Sequence, residues 1–373
     1  MESVHPRIRL ARTYNSTHQL VLRNPDELEL SNEASEVLDS IDGEVREGPV
    51  FELPMTHQNW TTSHILHHVL PAKVHPPPTA FEQVGHVAHL NLKANHEPYA
   101  RLIGDVLLTT NSGIKTVVNK VGEVSGKHRT YDMEVLAGND DTNVQVTEHG
   151  VQLRFNLKDV YWCTRLSGER KYMMNRYFRQ GQVIADPFCG VGALCVLAAK
   201  KYDCTVYAND WNPNAVASLK ENIAKNGVAK KFQQVVCGDA YDFLVDLGLD
   251  GKKLPHHIVM NYPLESTRFL PAFRWWALPP HKTDIVTTCH VYLFARAMDD
   301  RSVEDVAIDE VAQNLLPEGG ACEITTHRKK ELDRLGCEVE SRVIRDVAPG
   351  KVVVCVSFVV SRRLLRNMQG DFV

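Results

Sequence analysis

The sequence of 373 residues predicts an α/β fold, in which a small α+β domain precedes a doubly wound, mostly parallel sheet with a C-terminal antiparallel hairpin. Strand-like and helix-like stretches alternate beyond Tyr161, as in a doubly wound sheet. A Gly-x-Gly turn at residues 190–192 joins the first strand of this region to its first helix. Between Gly85 and residue 158, short β-type runs are separated by Gly, Asn or Asp, which indicates a smaller α+β unit.

Three segments are predicted along the chain. Residues 1–58 are acidic with scattered apolar positions, so they form either a small peripheral element or a partly disordered segment. Residues 59–158 form the α+β domain, which includes a proline-rich connector over residues 71–83. Residues 159–373 form the doubly wound domain, and the chain contains no evident internal repeat.

The strands and helices of the last segment follow from their residues in order. The first strand is "QVIADPF", and it leads into an apolar helix that extends to Lys200. The second is "CTVYAND", and in the helix after it Val216, Leu219 and Ile223 recur at helical spacing. Further strands are expected at "KFQQVVCGDA", "HHIVMNYP" and "TDIVTTCHVYLF". Two last strands flank an Ala-Pro-Gly turn, and this hairpin requires one antiparallel strand at the edge of the sheet.

Composition places the chain among ordinary globular proteins, with 43% hydrophobic and 24% charged residues. No stretch approaches the roughly 20 apolar residues that cross a bilayer, so we expect no membrane partner. The nine cysteines include no Cys-x-x-Cys pair, which argues against disulfides and metal and for a reducing compartment. We expect an intracellular monomer in the cytoplasm or nucleus, and the basic stretch Arg7 to Arg23 leaves the mitochondrial matrix open.

The turn "DPFCGVG" allows several interpretations. A dinucleotide-binding turn requires a third glycine, but Cys195 stands at that position. A phosphate-binding P-loop requires a lysine, which this turn lacks. A turn that serves packing alone stays open. S-adenosylmethionine fits better than a phosphate, because its sulfonium and ammonium are cations and acidic residues surround the turn.

Polar residues end four of the predicted strands, at the sheet edge where ligands of open α/β folds bind. Asp210 is placed to accept both ribose hydroxyls, with Trp211 beside the adenine and Asp239 near the adenine amino edge. The residues predicted to bind S-adenosylmethionine are Asp186, Gly190, Gly192, Asp210, Trp211, Asp239 and Ala240.

The stretch "VMNYPLE" concerns the acceptor. Amino-methyltransferases grip an exocyclic amine with an Asn-Pro-Pro-Tyr tetrad, of which only half is present here. Asn261 and Pro263 keep the rigid Asn-x-Pro edge, which points an amide at a planar acceptor. A turn that merely ends the strand is the alternative.

Several stretches together resemble one family, the tRNA (guanine-37, N1)-methyltransferases of archaea and eukaryotes. These stretches cover roughly residues 62–360 in the family's order: "GHVAHLNL", "VVNKV", "HRTYDMEVLAG", "DVYWCTRLSGER", "DPFCGVG", "ANDWNP", "VMNYPLESTRFL" and "DVAPGK". The resemblance implies a small tRNA-positioning domain followed by a Rossmann-like methyltransferase domain. It also implies methyl transfer from S-adenosylmethionine to N1 of guanosine 37, in the anticodon stem-loop of tRNA.

The resemblance assigns roles to individual residues. Guanine N1 must lose its proton before it can attack, and negative charge then grows on O6. Glu169 matches the family's proposed general base, Arg129 the arginine proposed to stabilise O6, and Asn261 the asparagine that orients base and cofactor. Arg165 matches an arginine that supports substrate positioning, as does Pro263 of the Asn-x-Pro edge, and Arg170 stands where the family contacts the cofactor.

The chain departs from the family's pattern at three places. Cys163-Thr164 replaces the usual Ser-Pro, Tyr262 replaces a frequent Leu, and Cys189 and Ala193 replace the usual Ala and Pro of the turn. Without the resemblance, Glu169 and Arg170 would be interpreted as an exposed charged turn.

Two other functions stay open. One is transfer of the aminocarboxypropyl group of the same cofactor during wybutosine synthesis. The other is a non-catalytic RNA-binding scaffold, although the net charge of −4 gives no support to nucleic-acid binding by the chain as a whole.

Overall fold

The computed structural model describes residues 11–14, 17–20, 60–125, 130–249, 254–279, 286–298, 301–316 and 325–370. Their contacts divide the chain into two compact units. The smaller unit takes in the described parts of Met1–Gln83, Val87–Lys120 and Glu134–Asp140, and the larger those of Val84–His86, Val121–Met133 and Asp141–Val373. Two short strands, β1 (Ala11–Tyr14) and β2 (Thr17–Leu20), pair antiparallel. The prediction for residues 1–58 otherwise lies outside the described residues.

The smaller unit has a helical layer and a sheet. Helix α1 (Thr62–Val69) begins at Thr61, whose hydroxyl accepts from the backbone N–H of His64 at 3.2 Å. A four-stranded sheet has the order β3 (Glu82–Val84), β4 (Val87–Leu90), β5 (Thr116–Ser125) and β6 (Thr130–Gly138), with β4 and β5 parallel. Leu66 of α1 and Leu107 of α2 (Ala100–Thr110) are buried in a common core with Leu90. Burial of this apolar face holds the unit together.

A second sheet is a two-stranded antiparallel hairpin, β7 (Asn143–Glu148) and β8 (Val151–Asn156). In β8, Val151, Leu153 and Phe155 are buried while the residues between them are not, as expected for a strand with one covered face.

The main sheet of the larger unit has seven strands, and the predicted fold class is confirmed. Their order is β11-β10-β9-β12-β13-β15-β14. The strands are β9 (Val183–Asp186), β10 (Thr205–Asp210), β11 (Phe232–Cys237), β12 (His257–Met260), β13 (Thr288–Ala295), β14 (Glu340–Ala348) and β15 (Lys351–Val359). Strands β9 to β13 are parallel to their neighbours, and β15 is antiparallel to both β13 and β14.

Helices alternate with these strands and cover the sheet. They are α3 (Ser167–Arg176), α4 (Cys195–Tyr202), α5 (Pro213–Lys225), α6 (Ala240–Gly248), α7 (Val303–Leu315), α8 (Thr325–Arg334) and α9 (Arg362–Gln369). Short 3₁₀ helices include Thr164–Leu166 and Ser266–Trp275. Among the described residues, no helix is long and apolar enough to cross a bilayer.

The antiparallel strand does not lie at the edge of the sheet, contrary to expectation. Strand β15 is inserted between β13 and β14, and β14 forms the edge. The reason lies in the two sequences: "KVVVCVSFV" of β15 is buried over Val353–Phe358, whereas the charged "ESRVIRDVA" of β14 has no fully buried residue. The more apolar strand takes the covered position, and the charged strand protects the edge.

The hairpin β7–β8 is hydrogen-bonded to helix α5 of the larger unit. The side-chain amide of Asn222 accepts from the N–H of Arg154 at 2.7 Å and donates to its carbonyl at 3.2 Å. The predicted domain boundary at residue 158 stays a prediction, and these contacts place the hairpin with the larger unit.

Candidate active site

A cavity of about 500 Å³ lies at the carboxyl ends of β9, β10, β12 and β13. It brings together most of the residues predicted from the sequence. Of these, the following line it: Glu169, Arg170, Asp186, Gly190, Asp210, Trp211, Asp239, Ala240, Asn261 and Pro263. Two do not, namely Gly192 and Arg165. Arg129 lies outside the described residues.

Asp186 ends β9 and is 4% exposed. Its Oδ1 accepts from the N–H of Phe188 at 3.1 Å, and its Oδ2 accepts from the thiol of Cys195 at 3.3 Å. Burial raises the pKa of Asp186 from 3.8 to about 7, although these two hydrogen bonds oppose the shift. A cation placed in the cavity beside this carboxyl would favour its ionised form.

The glycine turn is held from the next strand. The carboxylate of Asp210 accepts from the N–H of Gly190 through Oδ2 at 2.8 Å and from the N–H of Asn212 through Oδ1 at 2.9 Å. Gly190 has a φ of +54°, and a Cβ added there would meet no atom within 4 Å. The turn therefore leaves open space on the cavity side.

Gly192 has a different place from the one predicted. Its φ is +92°, and an added Cβ would overlap Leu219 of α5 and Val196 of α4. Close packing of the turn against these helices therefore requires a glycine here. Its predicted contact with the cofactor stays a prediction.

Asp239 caps the next helix. Its Oδ1 accepts from the N–H of Tyr241 at 2.7 Å, which fixes the start of α6 beside Ala240. Trp211, at the tip of β10, is 41% exposed and presents an apolar face to the cavity.

Asn209 is a site residue that the sequence analysis missed. It is fully buried, and its side-chain N–H₂ donates to the carbonyls of Pro187 at 3.0 Å and Gly238 at 3.1 Å. It thereby ties the turn after β9 to the turn after β11. Its Oδ1 is buried and has no hydrogen-bond partner within the described part of the chain. The available signal was its place in "YAND", directly before the acidic strand end.

These residues fit S-adenosylmethionine. The wall offers acceptors, namely the carboxylates of Asp186, Asp210 and Asp239 and the unpaired Oδ1 of Asn209, together with the aromatic face of Trp211. Acceptors suit ribose hydroxyls, an adenine amine and cationic groups, and they would repel the phosphates of a dinucleotide. The donor set thus supports the cofactor that the resemblance implies.

The Asn-x-Pro edge follows β12. Its bend is fixed by Ser266, whose Oγ accepts from the N–H of Tyr262 at 3.1 Å and lies 2.9 Å from the carbonyl of Met260. The carbonyl of Pro263 accepts from the N–H of Phe294 at 3.1 Å. No hydrogen bond joins the amide of Asn261 to another residue within the described ranges, and Asn261 lines the cavity. The amide is therefore available to a ligand.

Tyr262, which replaces the family's frequent Leu, lines the same cavity. Its ring stacks on Phe188 with centroids 5.1 Å apart and planes 17° apart. This pair joins the Asn-x-Pro edge to the glycine turn and adds a flat aromatic surface.

Glu169 is the most strongly held residue of the site. It lies in the first turn of α3 and is 7% exposed. Its Oε1 accepts from the hydroxyl of Tyr292 at 2.6 Å and from Nη2 of Arg342 at 2.6 Å, and its Oε2 accepts from the same Nη2 at 2.7 Å. An exposed charged turn, the alternative interpretation of Glu169, is excluded by this burial.

Arg170 is paired within the protein. Its Nε and Nη2 donate to the two carboxylate oxygens of Glu148 at 2.6 Å each, and its guanidinium lies 5.1 Å from the ring centroid of Trp162. Arg170 is 8% exposed, so the exposed-turn interpretation is excluded for it as well. Because Glu148 takes this fork, the predicted contact with the cofactor stays a prediction. Arg165, by contrast, is exposed.

Arg345 of β14 is a second residue that the sequence analysis missed. The pairing of β14 with β15 shifts register between Val343 and Arg345, and this bulge changes the face to which the following side chain points. Arg345 lines the cavity, and its buried Nε has no partner within the described ranges. The site therefore contains a guanidinium suited to an anionic group.

Comparisons with known proteins agree with this geometry. The TRM5/TYW2 methyltransferase domain matches residues 144–304, and the TYW2 N-terminal domain matches residues 62–142. Among solved structures, Trm5b from Pyrococcus abyssi superposes with a TM-score of 0.60 at 25% identity, covering 86% of this chain and 87% of that one. A complex of aTrm5 with tRNALeu superposes with a TM-score of 0.63 at 20% identity, covering 96% of this chain and 93% of that one, which supports the fold alone.

Curated relatives carry the family assignment. The tRNA (guanine(37)-N(1))-methyltransferase 2 of Phaeodactylum tricornutum is 47% identical, with 96% of this chain and 68% of the relative covered. The tRNA (guanine(37)-N(1))-methyltransferases of Danio rerio and Homo sapiens are 32% and 31% identical over 94% and 86% of this chain, which spans 71% and 60% of their lengths. With a strand-end cavity lined by acceptors as well, the chain belongs to the family of tRNA (guanine(37)-N1)-methyltransferases, enzymes whose methyl donor is S-adenosylmethionine.

Proposed function

We propose that this chain methylates N1 of guanosine 37 in tRNA and that Glu169 accepts the N1 proton. One observation carries the proposal: a single cavity is lined both by the acidic strand ends that suit the donor and by the carboxylate and Asn-x-Pro edge that suit a purine. The tRNA partner is supported by the names of the curated relatives and by the structural neighbour that is a complex with tRNALeu.

The donor side is formed by residues 186–240. Asp210, Trp211, Asp239 and Asn209 would hold S-adenosylmethionine through its hydroxyls, adenine and cationic groups. When bound, the cofactor supplies an electrophilic methyl group on a positively charged sulfur. The apolar side chains that line the cavity limit water around that group.

The acceptor side must remove a proton and steady a developing negative charge. Glu169 is an acceptor on the cavity wall, and a carboxylate in hydrogen-bond reach of N1–H can take the proton while the electron pair stays on nitrogen. Asn261 can hold the edge of the base through its available amide. Negative charge on O6 requires a donor or cation, and Arg345 is the described guanidinium that lines the cavity without a printed partner. Arg129, which the family resemblance favours for that task, stays a prediction.

The test is a single-turnover methylation assay on unmodified tRNA transcripts. We expect methyl incorporation into a transcript with guanosine at position 37 and none into its adenosine-37 counterpart. Glu169→Gln should lower the rate by about 10²-fold or more while leaving S-adenosylmethionine binding intact. Glu331→Gln, which alters an exposed carboxylate on α8, is the matched control.

Mass analysis of the product separates the remaining functions. Gain of one methylene supports methyl transfer. A much heavier adduct would establish aminocarboxypropyl transfer, which the shared TRM5/TYW2 domain match makes the second candidate. Binding of tRNA with no product from either chemistry would indicate a scaffold.

A further inference from the structure

Three side chains form a row across the last three strands of the sheet. Tyr292 of β13 pairs with Cys355 of β15, and Cys355 pairs in turn with Arg342 of β14. Paired residues in adjacent strands point to the same face of a sheet. A small residue therefore stands between two long polar ones, and the carboxylate of Glu169 is bonded to both of them.

The hydrogen bonds leave the two carboxylate oxygens unequal. A carboxylate oxygen has two lone-pair sites. Both sites of Oε1 are used, by Tyr292 and by Arg342, whereas Oε2 accepts only from Arg342 among the described residues. One acceptor site of Oε2 therefore remains for a ligand, and Glu169 lines the cavity.

Both donors keep their protons. Burial raises the pKa of Tyr292 well above its usual range, and the neighbouring charge of Glu169 raises it further. Burial alone would lower the pKa of Arg342, but its hydrogen bond and charge interaction with Glu169 outweigh that effect and raise it. The guanidinium also lies 3.9 Å from the ring centroid of Tyr172, one turn further along α3, which restricts its orientation.

We propose that Tyr292 and Arg342 are positioning residues, which hold Glu169 with Oε1 fully used and Oε2 left to accept the proton of guanine N1. This rests on the proposed function. In the step, the N1–H bond breaks, an O–H bond forms on Oε2, and the electron pair of N1 becomes available to bond the methyl carbon. The C-terminal hairpin then has a role in the reaction, because it supplies Arg342 and Cys355.

Cys355 sets the space for the carboxylate. It is 3% exposed and lies between the two donors, so a larger side chain would occupy the volume next to Glu169. Cys355→Ala should therefore preserve the arrangement, and Cys355→Leu should disturb it.

The experiment measures single-turnover methylation of the guanosine-37 transcript, with dissociation constants for S-adenosylmethionine and tRNA measured separately. Tyr292→Phe removes one hydroxyl and should lower the rate at saturating substrates roughly 10-fold to 100-fold, with both dissociation constants within about twofold of wild type. Tyr177→Phe is the matched control, because its ring lies on the same face next to His290 and it has no contact with Glu169. Arg342→Lys keeps the charge without the guanidinium fork, so it should recover part of the activity lost in Arg342→Met.

Combining each change with Glu169→Gln distinguishes positioning from general stability. If Tyr292 acts through Glu169, Tyr292→Phe should have almost no further effect on the rate once Glu169 is Gln. Equal losses in both backgrounds, or a full rate in Tyr292→Phe alone, would overturn the proposal while leaving Glu169 as the base. An unchanged rate in Glu169→Gln alone would instead refute the proposed function.

Discussion

Replacing Asp186 by Asn removes a carboxyl whose pKa in the folded protein is about 7 instead of 3.8. Over that range the folded chain holds a proton that the unfolded chain has released. The free energy of unfolding therefore falls as the pH rises from about 4 to about 7, and this group has no further effect above that. The Asn variant cannot titrate at this position, so it escapes the loss.

The magnitude follows from the pKa. Between pH 5 and pH 7 the wild type loses about 1.4 kcal/mol for each pH unit, or roughly 3 kcal/mol, relative to the variant. Loss of the hydrogen bond from Cys195 to Oδ2 costs the variant about 1 kcal/mol, but that cost is the same at each pH. The advantage of Asp186→Asn over wild type should consequently grow by roughly 3 kcal/mol from pH 5 to pH 8.

Urea unfolding of the ligand-free proteins at pH 5, 6, 7 and 8 measures this difference, because all other titrating groups cancel between the two chains. Asp246→Asn, which alters an exposed carboxyl on α6, is the matched control. A stability difference that is the same at pH 5 and pH 8 would refute the reasoning. Binding of S-adenosylmethionine should weaken in Asp186→Asn, since the variant has lost an anionic group beside the donor site.

Three further predictions use other parts of the structure. Asp210→Ala should weaken S-adenosylmethionine binding at least tenfold by calorimetry, because it removes a cavity acceptor and frees the turn at Gly190. Gly248→Ala should lower the free energy of unfolding by about 2 kcal/mol in urea titrations, because its methyl group would overlap the buried ring of Trp276. Arg345→Met should weaken tRNA binding and reduce its salt dependence by about one ion, with S-adenosylmethionine binding unchanged in a filter assay.

The strand ends were predictable because local pattern determines them. Asp186, Asp210, Asp239 and Asn261 each follow an apolar run directly, and the carboxyl ends of parallel strands share one edge of the sheet. The half-present Asn-x-Pro motif similarly identified the acceptor edge from five consecutive residues.

The partners of Glu169 were not predictable in this way. Tyr292 is 123 residues away in the chain and Arg342 is 173 residues away, and only the insertion of β15 between β13 and β14 places them side by side. A hairpin pattern gives two strands but not which of them joins the sheet. Arg345 depends on a bulge, which a change of register produces and an alternating pattern does not reveal.

The order of strands also bears on how the protein is made. Strand β15 fills the gap beside β13, and residues 351–359 leave the ribosome after every other strand of that sheet. Until they emerge, the growing polypeptide has neither the row at Cys355 nor an anchored Arg342, although the donor-binding half from β9 to β12 is already synthesised. A nascent chain can thus acquire its cofactor pocket early, while the carboxylate that performs the proton transfer is locked in place only at the end of translation.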